Sequence, residues 1–429
     1  MFIDEECKEM LSGKRGRLVK GAMEFLIRLG EAYGAEDMVD IDFGFVYTTM
    51  DFWGTKNKDE AENTMGFLSQ SAFEEAVELG VKVKAPAIGG LGAVDYENCA
   101  MMQISEESLA RIRYQNELDA ALGIMYMPTC DPYLILGTDV ATLGCHMVSV
   151  ESSAIPYYNS VLGAHVNREG IAGFFAVLTG KYPRFGYHID ENRKPRHLAL
   201  VRAKMRNYID YGILGLIAGE VVGPEVCAFS MDENPRPYDF VHLGSGMSSG
   251  GPVTMYHVIG VTPEARVPDA SFNPCLLKIH EITDRDIQRV YDKHSGCGEP
   301  VDYVVLGCPF YNAFELQRAA EMLKGRKVKP GISLWIHADP LARAMARASG
   351  FEKDITEAGG YIVCGTCPQL SAGKPGPIYT FTHPEYSVGV MATDSIKQAH
   401  YGGQILRAEK TLLGDMERCI QAAVTGIWR

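Results

Sequence analysis

The sequence predicts an α/β protein built of parallel sheets flanked by helices, with its active site at the carboxyl ends of the strands. Three observations predict it. Strand, turn and helix signals recur in strict alternation through the last third of the chain, a pattern that right-handed crossovers turn into a parallel sheet. Cysteines and acidic residues stand in the turns that follow those strands. The 429 residues, 46% hydrophobic and 22% charged, have an ordinary globular composition and can bury a large core.

In chain order, residues 15–34 read as an amphipathic helix with Leu18, Met23, Phe25, Leu26 and Leu29 on its apolar face and Gly30 and Gly34 near its end. Residues 37–47 alternate as a strand does. Asp59–Gly80 reads as helix with an interruption near Gly66, and Val81–Pro86 as a short strand. A charged helix, Glu106–Gly123, leads into the apolar strand Ile124–Pro128 and the turn Thr129-Cys130-Asp131-Pro132. In the last third the strands are Asp302–Leu306, Ile332–His337, Gly360–Val363 and Ser387–Met391. Their helices are Ala313–Leu323, Leu341–Ala348 behind Asp339-Pro340, and one opened by Ser395. With no repeat, low-complexity tract or linker, the chain divides into an N-terminal α/β region (1–150), a central catalytic region (151–300) and a C-terminal parallel-sheet region (301–429).

In a parallel sheet every strand-to-helix turn lies on one edge, where ligands bind. Cys308, Asp339, Cys367 and the pair Asp394-Ser395 therefore share a rim, and Cys130 follows a strand that places it to join them. Cys364 and Cys367 form the only CxxC. Four-thiolate zinc would call for a second such pair, so Cys364, at a strand end, reads as a buried small hydrophobe and Cys367, in the turn, as the better ligand. Three isolated thiols on one rim suit an iron–sulfur cluster with an open iron position. Buried thiols are the alternative, and the remaining cysteines are read that way.

Residues 151–170 are dense in hydrogen-bonding groups. They read either as a capped helix with a polar turn or as a clamp for a carboxylate or hydroxyl in which Arg168 supplies a charged fork. His188, Asp190, Glu191, Asn192 and Arg193 form a second polar cluster with the same two readings. Leu243–Gly251, LGSGMSSGG, has the composition of a phosphate cradle. It lacks both the P-loop lysine and the GxGxxG spacing, and so reads as a flexible turn. Lys397 lies close to the start of the helix that Ser395 opens, a position that suits substrate binding.

A formal net charge of −13 argues against nucleic acid as a partner. No basic, apolar leader stands at the N-terminus, and the longest apolar stretch, Tyr211–Val222, is too short to span a bilayer. A cytoplasmic location is the expectation, and with it cysteines held as thiols.

Taken together, ESSAIPYYNSVLGAHVNREG (151–170), TGKYPRFGYHIDENR (179–193), GVTPEA (260–265), GCP (307–309) with Glu315-Leu316 after it, GTC (365–367) and TDSIKQAHY (393–401) resemble the large part of the aconitase X family, in family order. The resemblance implies a hydro-lyase carrying an iron–sulfur cluster on Cys130, Cys308 and Cys367, with a four-iron cluster favoured and a two-iron cluster the alternative. It implies a pocket lined by Glu151, Ser152, Asn159, Arg168 and Lys397, with Ser153 and Ser395 beside it. Glu151, Ser152 and Lys397 are the catalytic candidates; Ser153, Asn159, Arg168 and Ser395 are the substrate-binding ones. It also implies a separate small subunit, a swivelling domain that covers the site and contributes a serine base. Known family substrates are cis-3-hydroxy-L-proline and mevalonate 5-phosphate. The absence of added basic residues near the motifs tilts the expectation toward the former, with the latter as the alternative and a cluster-bearing iron or redox sensor as a different class. Phe310-Tyr311-Asn312, Ala87-Ile88-Gly89-Gly90 and Asp394 depart from the common family pattern, which puts the substrate in question.

Overall fold

The computed structural model describes residues 1–48, 68–90, 92, 94–136, 141–371, 374 and 385–429. Among them are three parallel sheets and one small antiparallel pair, Met38–Asp40 with Lys181–Pro183. The first sheet runs Met125–Tyr126, Ala87–Gly89, Phe43–Val46, His146–Ser149, His165–Arg168. The second runs Tyr256–Val258, Cys227–Ser230, His197–Val201, Lys278–Ile282. The third runs Gly360–Val363, Ser333–Ala338, Tyr303–Tyr311, Gly389–Thr393, Ala408–Leu413. The strands that are buried on both faces are continuous apolar runs, as in Tyr303–Tyr311, because helices cover both sides of a parallel sheet.

The expected alternation in the last third is observed, with helices Ala313–Leu323, Pro340–Ala348 and Ile396–Ile405 following the strands Tyr303–Tyr311, Ser333–Ala338 and Gly389–Thr393. Each is started by a side chain that accepts a backbone N–H of the first turn: Asn312, Asp339 and Ser395. The amphipathic N-terminal helix spans Arg17–Ala32. Residues 37–47 form two strands rather than one, Met38–Asp40 and Phe43–Val46, which pair with different sheets. The strand expected at Val81–Pro86 is instead Ala87–Gly89. The Pro86 carbonyl accepts from Gly44, but proline has no N–H to give, and the parallel ladder begins one residue later. Of the helix expected at 59–80, residues 59–67 lie outside the described set and Gln70–Glu78 is helical.

The expectation of a flexible turn at Leu243–Gly251 is corrected. The segment is the second half of a helix, Pro237–Gly250, which packs along the helix Tyr208–Val222. Its glycines are there for proximity. A Cβ on Gly246 would lie 2.0 Å from the Gly212 carbonyl oxygen, and one on Gly215 would lie 2.2 Å from that of Leu243. Backbones this close admit only hydrogen at the contact. Tertiary contact overrides the poor helix propensity of the glycines.

This helix pair sits between the first and third sheets. Gly244 abuts Pro156 on one side, and Gly212 abuts Ile396 on the other. Its side chains belong to one continuous core with Phe43, Phe45 and Ile155 of the first region and Ile396 of the third. Replacing Gly246 by Ala should therefore destabilise the protein by about 1–3 kcal/mol, the range for overpacking a tight interior. Urea denaturation would measure this, with Gly403→Ala as the comparison, because that exposed helical position has ordinary backbone angles and a Cβ there meets nothing closer than 3.6 Å.

Candidate active site

Both outer sheets are doubly wound. In the first, the chain starts at Phe43–Val46, adds two strands on one side, then returns to the other side with His146–Ser149. In the third it starts at Tyr303–Tyr311, adds two strands, then returns with Gly389–Thr393. Each reversal opens a crevice at the carboxyl ends of the two central strands. Tyr47 and Val150–Glu151-Ser152 leave the first crevice; Cys308 and Lys397 come from the second. All of them line a single pocket of about 290 Å³, together with Cys130, Ser153, Arg168, Phe310, Cys367, Gln369 and Tyr401.

Cys308 reaches the pocket through a bulge. Leu306 pairs with Ile336, the register then shifts, and pairing with the same neighbour resumes only at Tyr311 opposite Ala338. Gly307 opens the bulge with φ +83°, and a Cβ on it would lie 2.2 Å from the His337 carbonyl oxygen. Cys367 is set by residues of the first region. The Gly92 N–H donates to the Gly365 carbonyl at 2.8 Å, and the Asp95 carboxylate accepts the Cys364 N–H at 2.9 Å. Cys364 itself packs in the third sheet's core. Cys130 accepts the Phe310 N–H on its sulfur at 3.4 Å.

The eleven cysteines are all free thiols. Burial pushes the Cys308 thiol up to about 11, even though Lys397 and a hydrogen bond with Ser395 pull the other way. Burial raises Cys130 and Cys367 further, and Glu151 adds to it in each case. Such thiols ionise only when positive charge is brought to them, as a metal centre does. Among the described residues no group of three or more His, Cys, Asp or Glu side chains is close enough together to hold one ion. Three thiols spread around one pocket, one of them already accepting a backbone N–H, fit instead a polynuclear iron–sulfur group, whose ligands stand farther apart and whose sulfurs take such hydrogen bonds.

Opposite the thiols stands a buried charge pair. Lys397 Nζ donates to Ser152 Oγ at 2.8 Å and lies 3.5 Å from Glu151 Oε1. Burial lowers the lysine's proton affinity, but Glu151 and the three thiols outweigh it, and the net shift is upward. The carboxylate is fixed by Ser153, whose N–H and Oγ donate to Oε1 at 3.2 and 2.8 Å. Its other oxygen faces the Tyr47 hydroxyl at 3.5 Å. Arg168, at the end of its strand, is exposed at the pocket wall and has no ion-pair or hydrogen-bond partner among the described residues.

Of the residues expected at the site, the structure brings together Glu151, Ser152, Ser153, Arg168, Lys397, Cys130, Cys308 and Cys367. It does not bring Asn159 there. That side chain is fully buried, with Nδ2 donating to the Val166 and Thr254 carbonyls and Oδ1 accepting from Val166 N–H and Arg193. Arg193, itself buried, also pairs with Glu264, so the polar cluster at 188–193 contributes a structural clamp. Ser395 starts the Ile396–Ile405 helix, its hydroxyl accepting the Gln398 N–H, and is not among the pocket-lining residues. Asp339 does the same capping work for its own helix. Tyr47, Gln369 and Tyr401 line the pocket without having been expected there. Tyr401 could have been found as the helical neighbour four residues after Lys397, whereas the place of Tyr47 depends on strand order.

Fold and pocket together define an α/β protein whose thiol-lined site lies at the carboxyl ends of two parallel sheets, and comparison with known proteins gives the family. Models of the aconitase X first, second and third domains match residues 1–191, 195–292 and 301–425. The chain is 31% identical to the phosphomevalonate dehydratase large subunit of Methanosarcina mazei over 99% of this chain and 98% of that one. It is 33% identical to the protein of the same name from Methanothermobacter thermautotrophicus, covering 94% of each. The cis-3-hydroxy-L-proline dehydratase of Pseudomonas aeruginosa is 27% identical over 99% of this chain but only 70% of its own length. The holo-form crystal structure of Thermococcus kodakaraensis aconitase X superimposes with a TM-score of 0.79 at 28% identity, covering 99% of this chain and all of that one. The chain belongs to the aconitase X family and is a dehydratase of that type, a family that implies an iron–sulfur cluster. No helix among the described residues is long and apolar enough to cross a membrane.

The placement of Asn159 has a measurable consequence. Asn159→Ala strips partners from two carbonyls, an N–H and a guanidinium, all buried, and should cost at least about 1–3 kcal/mol of stability, read as a lower urea midpoint. Because the side chain stands outside the pocket, iron bound per folded chain should be unchanged.

Proposed function

We propose that this chain is the large subunit of an iron–sulfur hydro-lyase that removes water from a small hydroxy acid, working with a separate small subunit. The substrate reading supported best is a phosphorylated hydroxy acid of the mevalonate 5-phosphate type. The observation that carries it is the end-to-end match, at 31–33% identity, to chains named phosphomevalonate dehydratase large subunit. This reverses the preference for cis-3-hydroxy-L-proline that the motifs alone suggest. One observation still favours the ring amino acid as a second reading. Arg168 is the one pocket cation without an anionic partner among the described residues, and it suffices for one carboxylate, whereas a phosphorylated acid brings a second anionic group.

Cys130, Cys308 and Cys367 would hold the cluster, of the four-iron type by preference. When bound, it supplies a Lewis-acidic iron that offsets the charge on the departing hydroxide. The chain's own residues do the rest. Arg168 presents a planar fork to the substrate carboxylate. Glu151, held by Ser153, offers the oxygen that faces Tyr47 as a proton acceptor. Lys397 fixes the Ser152 oxygen and balances the carboxylate in a site shielded from water. The small subunit closes the pocket and supplies a further base.

Anaerobic co-expression with the small subunit tests this. Water loss should be seen with mevalonate 5-phosphate and not with cis-3-hydroxy-L-proline; the reverse result selects the second reading, and turnover of neither overturns both. Glu151→Gln and Lys397→Ala should each lower kcat by about 10²–10⁴-fold, the usual worth of a positioned acid or base, while iron content stays constant.

A further inference from the structure

Behind the bulge that carries Cys308 lies a carboxylate that the mechanism above does not use. Asp394 is 2% exposed. Its Oδ2 accepts the hydroxyl of Tyr208 at 2.9 Å and, at closer range, that of Tyr311. Burial pushes this carboxyl up to about 6, while the two hydroxyls and the nearby Gly307 amide N–H pull the other way, and Oδ1 is left without a hydrogen bond of ordinary geometry.

The position of this group follows from the sheet. The ladder between Tyr303–Tyr311 and Gly389–Thr393 ends with Val305 opposite Thr393, one residue before Asp394. Beyond that point the bulge leaves the sheet, so its backbone has no strand to pair with on that side. The carboxylate stands in the gap. It touches the residue before Cys308 through Gly307 and the residue three after it through Tyr311, the point where pairing with Ser333–Ala338 resumes. Tyr208 opens one of the two close-packed helices, so the spacer between the sheets is tied to the same atom. The next residue, Ser395, lies close enough to the Cys308 thiol to favour its ionised form. An acceptor-only group can take all these donors at once, whereas an amide would turn an N–H toward one of them.

We propose that Asp394 is a positioning residue that fixes the bulge, and with it the direction of the Cys308 sulfur, through Tyr311, Tyr208 and Gly307. Its importance to catalysis rests on the reading of Cys308 as a cluster ligand; the positioning itself is a property of the iron-free chain and can be tested there.

The test is the alkylation rate of each cysteine by iodoacetamide, read by peptide mass spectrometry on the full chain after iron is removed with a chelator. Asp394→Asn should change the Cys308 rate by about tenfold, as expected when one buried hydrogen bond is lost, with Cys364 and Cys367 unchanged; Cys130, whose sulfur accepts the Phe310 N–H of the same bulge, follows Cys308. Tyr311→Phe and Tyr208→Phe, which remove one hydroxyl each, should move Cys308 in the same direction by smaller factors and serve if Asp394→Asn does not fold. An unchanged Cys308 rate in these variants overturns the proposal, as does a change shared by all four cysteines, which would mean general loosening. Iron content of Cys308→Ser tests the ligand reading separately: full iron there defeats that reading and leaves the thiol rates to decide the positioning.

Discussion

The pocket depends on how closely two helices approach. Tyr208–Val222 and Pro237–Gly250 touch backbone to backbone, glycine against carbonyl, and the pair stands between the sheets that supply the two walls. One helix abuts Pro156, just after Glu151-Ser152-Ser153; the other abuts Ile396, next to Lys397. The thickness of this spacer sets the distance between the walls. The 2.8 Å bond from Lys397 to Ser152 spans 245 positions of sequence, and no local element holds its two ends together. A protein interior does not compress to absorb an added methyl, so spacer and pocket geometry are one constraint.

The electrostatics follow from the same closeness. Both members of the Lys397–Glu151 pair are buried, and a buried ion pair is retained only where further hydrogen bonds complete its shells. Ser152 and Ser153 provide them, and the run of small hydroxylated residues after the strand is what lets one carboxylate and one ammonium share so small a space. The thiols show the opposite balance. Burial holds their protons on, Glu151 reinforces this for all three, and Lys397 eases it for Cys308 and Cys367. The site is thus tuned for a group that brings its own positive charge.

The parts legible in the sequence were the local ones. Strand, turn and cap signals placed Cys308, Cys367 and Lys397 on a carboxyl edge, because each depends on a few neighbouring residues: Gly307 with its left-handed backbone, Asn312 and Ser395 with their caps. Strand order was not legible, and strand order is what makes Tyr47 and Glu151 face Cys308 and Lys397. LGSGMSSGG was misread for a related reason. Glycine in a helix is locally unfavourable, and only the partner helix, about thirty residues upstream, explains it. Asn159 lay within a motif dense in pocket residues, yet its amide serves four buried backbone and guanidinium groups; proximity in sequence to Glu151 carries no information about which way a side chain turns.

The two substrate readings part on charge. A doubly anionic ligand in a pocket already holding Glu151 needs more cation than Arg168 alone provides, since Lys397 is committed to the carboxylate and Ser152. If phosphate is bound, its partner must come from the covering subunit or from residues of this chain beyond those described at the pocket wall. Large-subunit variants of Arg168 would then weaken binding through the carboxylate alone, raising KM for both substrate classes by similar factors. Substrate choice between them would be moved by changes in the group that holds the phosphate and not by Arg168. A ring amino acid, by contrast, would place its whole anionic charge on Arg168, and Arg168→Ala would abolish binding outright. Comparing KM for the two classes in that one variant separates a site whose specificity is built into this chain from one completed by its partner.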